Sequence, residues 1–96
     1  MKSIIQTENC CFLCGRTTNL ETHHIFGGVA NRKISEREGL KVRLCADCHR
    51  GTEGAQYDSE KNLYLKQVAQ MAYEQTHTRE QWMMLMRKNY LDIKEG

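Results

Sequence analysis

CFLCG (residues 11–15) and LCADCH (residues 44–49) are the two segments of this 96-residue chain that say most about how it folds. Each contains a CxxC unit, which places two thiolates on one tight turn at a spacing that suits neighbouring corners of a tetrahedral zinc site. Free cysteines or two redox pairs are the alternative interpretation. One structural zinc ion is predicted on four thiolates, those of Cys11, Cys14, Cys45 and Cys48. Cys10 is a spare thiol that could replace Cys11, although only Cys11 gives the two-residue spacing.

The composition predicts a single small domain spanning residues 1–96. A chain with 40% hydrophobic and 27% charged residues at this length has no room for two cores, and its one core leaves a thin stability margin. A zinc site that forms on folding is expected to contribute on the order of 10 kcal/mol. The first residues lack the basic start and long apolar run of a secretory signal, so none is expected, and the sequence shown contains no apolar stretch of about 18 residues. The chain is therefore predicted to be cytoplasmic, where paired CxxC units indicate metal more often than disulfides.

The chain divides into two halves of different composition. Residues 10–54 hold all five cysteines and three of the four histidines, which predicts tight turns around fixed ligands. Within them, residues 20–26 and 41–44 have the short alternating pattern of strands. The intervening GGVANRKISEREG (residues 27–39) is predicted to be a loop, ordered or mobile, with functional potential. Residues 58–93 contain no glycine or proline and have helix composition.

Two helices are predicted in the second half. The first begins at Asp58 or Ser59 as N-cap and ends near Thr76. The second begins with Thr78 and Gln81 in an S/T-x-x-E/Q capping box and carries apolar side chains down one face to position 90. The two are expected to pack as a hairpin against the cysteine-rich half. Three side chains of the second helix are expected to fill the core rather than to form a partner groove: Met83, Met84 and Met86.

Histidines supply the candidate chemistry, because a filled four-sulfur zinc site has no open position for a substrate. His23 and His24 are adjacent in the first strand, so their side chains point to opposite faces unless the strand is ending there. One of them could hold a metal ion while the other works as a base. His49 directly follows Cys48, so the zinc site would fix where its ring points. The three imidazoles are expected to be aimed at a common pocket.

The order CxxCG, a strand ending in HHI, a glycine-containing loop and LCxxCH resembles the HNH or ββα-metal nucleases that have a zinc-binding frame. The longer pattern HHIFGG, ANRK, SE and GL, followed by two helices ending near KNYL, is similar to small HNH-like proteins of bacteriophages. The resemblance implies an α+β fold in which a zinc-stabilised ββα-metal core precedes a two-helix C-terminal hairpin. It also implies a metal-dependent DNA endonuclease, cutting one strand or both, in the cytoplasm of a bacterial host.

The resemblance assigns roles to three histidines. His24 matches the general base, and His23 and His49 match ligands of the catalytic divalent ion, Mg²⁺ or Mn²⁺. An imidazole that titrates near neutrality can take a proton from water, and the ion stabilises charge on the phosphate, giving a 5′-phosphate and a 3′-hydroxyl. Glu53 stands four residues after His49, where many relatives carry a further metal-binding histidine, and its carboxylate can bind the same hard ions.

The chain departs from the family pattern at two points. The middle asparagine of the family is replaced by Leu40 and Lys41, with Asn31 far upstream, and Gln56 stands where phage-type relatives have a histidine. A glutamine amide is a much poorer ligand than an imidazole. Two other functions therefore stay open. One is a degenerate HNH fold that binds DNA or a protein without cutting, for example a phage inhibitor of a host enzyme. The other is a zinc-ribbon-like structural or adaptor domain.

Positive charge is concentrated beside the motif, although the net charge of +2 is too small to prove a nucleic-acid partner. Residues 30–51 hold six basic and three acidic side chains, which favours either phosphate contact or an ordinary solvated surface. DNA is the predicted partner. A protein partner or a second copy of the chain could bind the C-terminal helices, and no membrane contact is expected. Five side chains are predicted to contact phosphates, chosen by proximity to the motif: Arg16, Arg32, Lys33, Arg43 and Arg50.

Overall fold

A computed structural model describes residues 2–51, 54 and 58–91 of the chain. These residues form a small α+β fold, as predicted, with a two-stranded sheet and four helices. The elements are β1 (Leu20–His24), α1 (Val29–Glu38), β2 (Lys41–Cys45), α2 (Ala46–Arg50), α3 (Ser59–Tyr73) and α4 (Arg79–Met86). No helix within the described ranges is long and apolar enough to cross a bilayer.

The two strands pair antiparallel, and their register decides which side chains share a face. His23 lies opposite Val42, and His24 lies opposite Lys41. Successive side chains alternate, so the hairpin has a His23 face and a His24 face. The His23 face carries Glu21, His23, Val42 and Leu44, and the His24 face carries Leu20, Thr22, His24, Lys41, Arg43 and Cys45. Both predicted strands are confirmed, with β1 ending two residues earlier and β2 one residue later than expected.

The predicted loop between the strands is wrong for most of its length, because Val29–Glu38 is the helix α1. The segment lacks proline and contains Ala, Arg, Lys and Glu, which favour helix. It has few apolar positions, so the periodicity that identifies a helix in a sequence is missing. Gly39 ends the helix in a left-handed conformation with φ of 74°, at a point where a β-carbon would collide with the carbonyl of Lys2.

A buried hydroxyl fixes α1 against the end of β1. Ser35 accepts a hydrogen bond from the amide of Phe26 at 3.2 Å and donates to the carbonyl of Phe26 at 3.1 Å. The Ser35 side chain is fully buried, so water cannot replace either bond without an opening of the structure. The position of α1 beside His24 is therefore set by this contact.

The two C-terminal helices begin where the sequence predicts. The Asp58 side chain caps α3 by accepting hydrogen bonds from the amides of Glu60 and Lys61, at 2.9 and 3.2 Å. Thr78 and Gln81 form the expected capping box at the start of α4. Both helices end a few residues earlier than expected, and α4 stops because the residue after it adopts a left-handed conformation with φ of 62°.

Both C-terminal helices pack into the same hydrophobic core as the hairpin. Trp82 of α4 is fully buried, and its ring centroid lies 5.6 Å from that of Phe26. The Nε1 of Trp82 donates to the carbonyl of Lys88 at 2.8 Å, so the polar atom of this ring is satisfied. Leu65 and Tyr73 of α3 are buried in the same cluster. The C-terminal helices therefore pack against the cysteine-rich half.

The methionines of α4 do not all fill the core. Met86 packs against the core, whereas Met84 is 81% exposed and Met83 lies at the surface. The prediction is wrong for Met84, because consecutive helical positions point about 100° apart and cannot share one buried face. The face of α4 that packs against the core carries Trp82 and Leu85 instead.

The N-terminal segment lies along the outer edge of β2. The amide of Ile4 donates to the carbonyl of Gly39 at 3.0 Å, and the side-chain oxygen of Gln6 accepts from the amide of Arg43 at 2.8 Å. The amide of Phe12 donates to the carbonyl of Arg43, also at 2.8 Å. β2 is thus hydrogen-bonded on both edges, whereas in the described part of the chain β1 has no strand on its second edge.

Candidate metal centre and histidine site

Four cysteine side chains meet where β2 passes into α2. Their sulfurs all lie within 4.8 Å of one another, and those of Cys14 and Cys45 are 3.6 Å apart. A tetrahedral zinc ion with Zn–S bonds of about 2.3 Å requires sulfur separations of about 3.8 Å, which this cluster approaches. The cluster could therefore hold a metal ion such as zinc. Its members are the four predicted ones, Cys11, Cys14, Cys45 and Cys48, and Cys10 lies outside it.

The thiols of this cluster are in unequal electrostatic surroundings. Burial raises the pKa of the Cys11 thiol, but hydrogen bonds from the backbone, that of Cys45 first, outweigh burial and lower the pKa to about 6. Burial, and then contact with the sulfur of Cys45, raises the pKa of Cys48. Ionising one thiol therefore makes it harder to ionise its neighbours, because the negative charges of adjacent thiolates repel. A bound cation would offset that repulsion.

His23 and His49 form a second constellation on the His23 face. Their ring centroids are 5.0 Å apart, with the ring planes inclined by 68°. The His23 side chain is buried, with the residue 9% exposed, and its Nε2 has no hydrogen-bond partner among the described residues. Leaving a buried polar atom unpaired costs about 1–3 kcal/mol, so this nitrogen has the surroundings of a ligand atom. Burial, followed by the nearby His49 and His24, lowers the pKa of His23 to about 4, which keeps the ring neutral at pH 7.

Glu21 orients the ring of His49. Its Oε1 lies 2.8 Å from Nδ1 of His49, and the same carboxylate accepts two hydrogen bonds from the guanidinium of Arg50, one of them at 3.0 Å from Nε. Hydrogen bonding to His49, and then to Arg50, lowers the pKa of Glu21. An ionised carboxylate accepts a hydrogen bond from Nδ1–H, which leaves Nε2 of His49 with the free lone pair. A carboxylate behind an imidazole in this way is typical of metal-ligating histidines.

Sequence reasoning did not include Glu21 among the site residues. A signal was available, because Glu21 lies two positions before His23 and therefore projects from the same face of β1. Its contact with His49, however, spans 28 residues of sequence and depends on where α2 begins. The sequence alone does not show that Glu21 and His49 lie next to each other in space.

His24 lies on the opposite face of β1 from His23. Its Nε2 is 2.8 Å from Oε2 of Glu36 in α1, and both oxygens of Glu36 lie 2.9 Å from Nζ of Lys41. The His24 side chain is 17% exposed and does not face an apolar interior. The structure thus brings together two of the three imidazoles that were expected in one pocket, and it places the third across the strand.

Several predicted ligand positions do not enter this geometry. Glu53 and Gln56 lie outside the described residues. Asn31, the upstream asparagine, is an exposed residue of α1. The part of the chain that the structure describes therefore offers two imidazoles, those of His23 and His49, as candidates for a second metal ion.

Three of the five predicted phosphate-contacting side chains lie on or beside the His24 face. Arg32 and Lys33 of α1 line a shallow cavity of about 450 Å³ together with His24 and Glu36. Arg43 lines a neighbouring cavity of about 670 Å³ on the same face of the hairpin. None of the three forms an ion pair with another described residue.

The other two predicted phosphate contacts are engaged in ion pairs. Arg16 lies 3.2 Å from the carboxylate of Asp47, and Arg50 is bonded to Glu21. The Arg16 pair is exposed and therefore weak, so it does not prevent Arg16 from turning to a phosphate. Arg50 donates two hydrogen bonds to the carboxylate of Glu21 and so helps to hold the group that orients His49.

Comparison of the chain with protein-family models, with curated proteins and with solved structures gives no match. The arrangement of its own side chains is what indicates its chemistry.

Proposed function

We propose that this chain is a metal-dependent endonuclease of the HNH type that hydrolyses phosphodiester bonds in DNA. The observation that carries the proposal is the pair His23 and His49. One ring has a buried nitrogen without a partner among the described residues, and the other ring is held by Glu21 through one of its two nitrogens. Two imidazoles held in this way, each with a ring nitrogen available, are suited to bind a divalent cation.

His23 and His49 would hold that cation through their Nε2 atoms. A bound divalent ion supplies positive charge where the scissile phosphate and the leaving 3′-oxygen become more negative. Imidazole ligands suit transition-metal ions better than Mg²⁺, so Mn²⁺ is the first ion to test, with Mg²⁺ following if the carboxylate of Glu53 joins the site. Glu21 would hold the His49 ring in the orientation that binds the ion during hydrolysis.

His24 is the proposed general base. It lies on the other face of β1 from the pair, so the scissile phosphodiester would have to lie across the edge of this strand that carries no second strand in the described part of the chain. An attacking water on the His24 side would then lie opposite to the leaving oxygen on the metal side, which is what in-line displacement requires. The adjacent positions of His23 and His24 on one strand support this division of roles.

DNA is proposed to approach the His24 face. Arg32 and Lys33 lie on one flank of His24, and Arg43 lies on the other flank of the same face. Side chains without an internal ion pair are available to neutralise phosphates. The cysteine cluster is proposed to bind structural zinc, which would hold α2 and therefore His49 at a fixed position relative to β1.

A module that binds DNA without cutting is the second candidate. The observation in its favour is that the described residues supply two ligands for the catalytic ion, which is fewer than a tight site usually has. A basic His24 face would bind phosphates in either case. The two candidates differ in whether a metal ion makes the chain cut.

Nicking of supercoiled plasmid DNA tests the proposal. The full chain is assayed with Mg²⁺, Mn²⁺, Ni²⁺ or Zn²⁺, beside the variants H23A and H24A and the control H77Q, since His77 stacks on Tyr73 in the C-terminal half. We expect nicked product with 5′-phosphate ends from the parent and from H77Q, and a loss of about 100-fold or more in H23A and H24A.

Two results decide against the nuclease. No cleavage in any of the four metals, or equal cleavage by H24A, contradicts it. Salt-dependent DNA binding without cleavage supports the binding module instead, because released counterions give a linear slope against the logarithm of salt concentration.

A further inference from the structure

Glu36 makes contacts that neither the cysteine cluster nor the His23 face requires. Its carboxylate accepts from Nζ of Lys41 through both oxygens, at 2.9 Å each, and Oε2 lies 2.8 Å from Nε2 of His24. The Glu36 side chain is 51% exposed, while the two side chains it joins are each 17% exposed. An exposed acidic side chain is thus tied to two sheltered basic ones.

The backbone fixes this arrangement from three sides. His24 and Lys41 are directly opposite each other in the register of the hairpin. Glu36 comes from α1, and the neighbouring Ser35 is hydrogen-bonded twice to Phe26 just beyond the end of β1. Because each member belongs to a paired strand or an anchored helix, the three side chains meet without a flexible loop between them.

We infer that Glu36 is a positioning residue that holds the His24 ring in one orientation and in one tautomer. Its carboxylate accepts a hydrogen bond from Nε2–H of His24, so Nδ1 carries the free lone pair. The inference rests on the proposed function, because His24 matters for activity only if it is the general base.

The charges around Glu36 suit this role. Hydrogen bonding to Lys41, and then to His24, lowers the pKa of Glu36 to about 2, so the carboxylate is ionised under all conditions in which the protein would work. When Nδ1 of His24 takes the proton of the attacking water, the ring becomes a cation. That cation faces a carboxylate, whereas without Glu36 it would face the ammonium group of Lys41. The same orienting and stabilising effects are known of carboxylates behind other catalytic imidazoles.

The tautomer is measured directly by NMR. Long-range ¹H–¹⁵N correlation on the full chain reports which ring nitrogen of His24 carries the proton while the ring is neutral. We expect the Nε2–H form in the parent and a mixture of both forms in E36A. E38Q is the matched control, since Glu38 lies on the same helix and pairs with Arg37. A parent ring in the Nδ1–H form, or a tautomer that E36A leaves unchanged, would overturn the inference.

Kinetics supply the second readout. A base of this kind contributes about 10²- to 10⁴-fold, so losing its orientation in E36A should lower kcat by about 10- to 100-fold without raising KM for DNA. E36D should recover part of that loss, and E38Q should keep the parent rate. Equal kcat in the parent and E36A would overturn the inference. If the parent cuts no DNA, the proposed function fails, and the NMR result still decides whether Glu36 holds the ring.

Discussion

Nδ1 of His49 lies 2.8 Å from Oε1 of Glu21, and this contact joins the helix that contains Cys48 to the strand that carries His23. The cysteine cluster fixes the start of α2, and the carboxylate then fixes the rotation of the ring that α2 carries. Through these two steps, the cysteine cluster at one end of the hairpin, which could hold a metal ion, would set the geometry of the histidine pair on its face.

Removing the charge of Glu21 should therefore weaken metal binding at the proposed His23–His49 site. We expect E21Q to lower the affinity for Mn²⁺ by about 10- to 100-fold, the usual effect of losing an orienting partner of a ligating histidine. Calorimetry on the zinc-containing protein measures this, with E80Q as a control of equal charge in α4. An unchanged dissociation constant in E21Q would mean that Glu21 does not orient a ligand.

The cysteine cluster should be required for folding. C45S should lose bound zinc and the cooperative unfolding transition, because the site is expected to contribute on the order of 10 kcal/mol. C10S should keep one zinc ion per chain, since Cys10 lies outside the cluster. Zinc content by atomic absorption and thermal unfolding by circular dichroism check both variants. Zinc lost equally from C10S and C45S would show that the assignment of ligands is wrong.

The parts of the fold that were predictable depend on local chemistry. The four clustered cysteines follow from two CxxC spacings, and the caps of α3 and α4 follow from Asp58 and Thr78, each of which acts within three residues of its own position. The helix α1 was missed because its stability comes from Ser35 and from the hairpin rather than from an apolar stripe. Helix propensity alone would have identified it better than periodicity did.

The supporting residues of the candidate site were not predictable in the same way. Glu21 and Glu36 are ordinary acidic residues in the sequence, and each acquires its role from a contact made across 28 or 12 residues. The register of β1 and β2 and the direction of α1 decide those contacts. Histidines stand out by type, whereas the carboxylates that orient them stand out only in three dimensions.

Trp82 should be the side chain whose removal most weakens the C-terminal half. It is fully buried and its ring lies beside those of Phe26 and Tyr73, so W82A should lower the free energy of unfolding by about 3–5 kcal/mol. M84A, which removes an 81% exposed side chain of the same helix, should change it by less than about 0.5 kcal/mol. Urea denaturation measures both. Equal effects would place Trp82 outside the core.

Gln70 should contribute to stability through hydrogen bonds rather than apolar packing. It is a buried polar side chain, and both of its polar atoms are hydrogen-bonded to neighbouring residues. Its Oε1 accepts from the amide of Tyr90 at 2.8 Å, and its Nε2 donates to Asn89 at 2.9 Å and to Glu74 at 2.7 Å. Q70A should cost about 1–3 kcal/mol, because it leaves the amide of Tyr90 without its acceptor and removes the two hydrogen bonds to Asn89 and Glu74. The exposed Q75A is the control, and hydrogen exchange of the Tyr90 amide should accelerate in Q70A alone.

Crystallography of the full chain with Mn²⁺ is the decisive measurement for our proposal that His23 and His49 together hold a divalent ion. Data collected between the manganese and zinc absorption edges distinguish the two metals by their anomalous signals. The predicted result is a manganese peak bonded to Nε2 of His23 and Nε2 of His49, separate from a zinc peak among the four cysteine sulfurs. Fully bound zinc with no manganese peak between the two imidazoles, at saturating Mn²⁺, would contradict the claim.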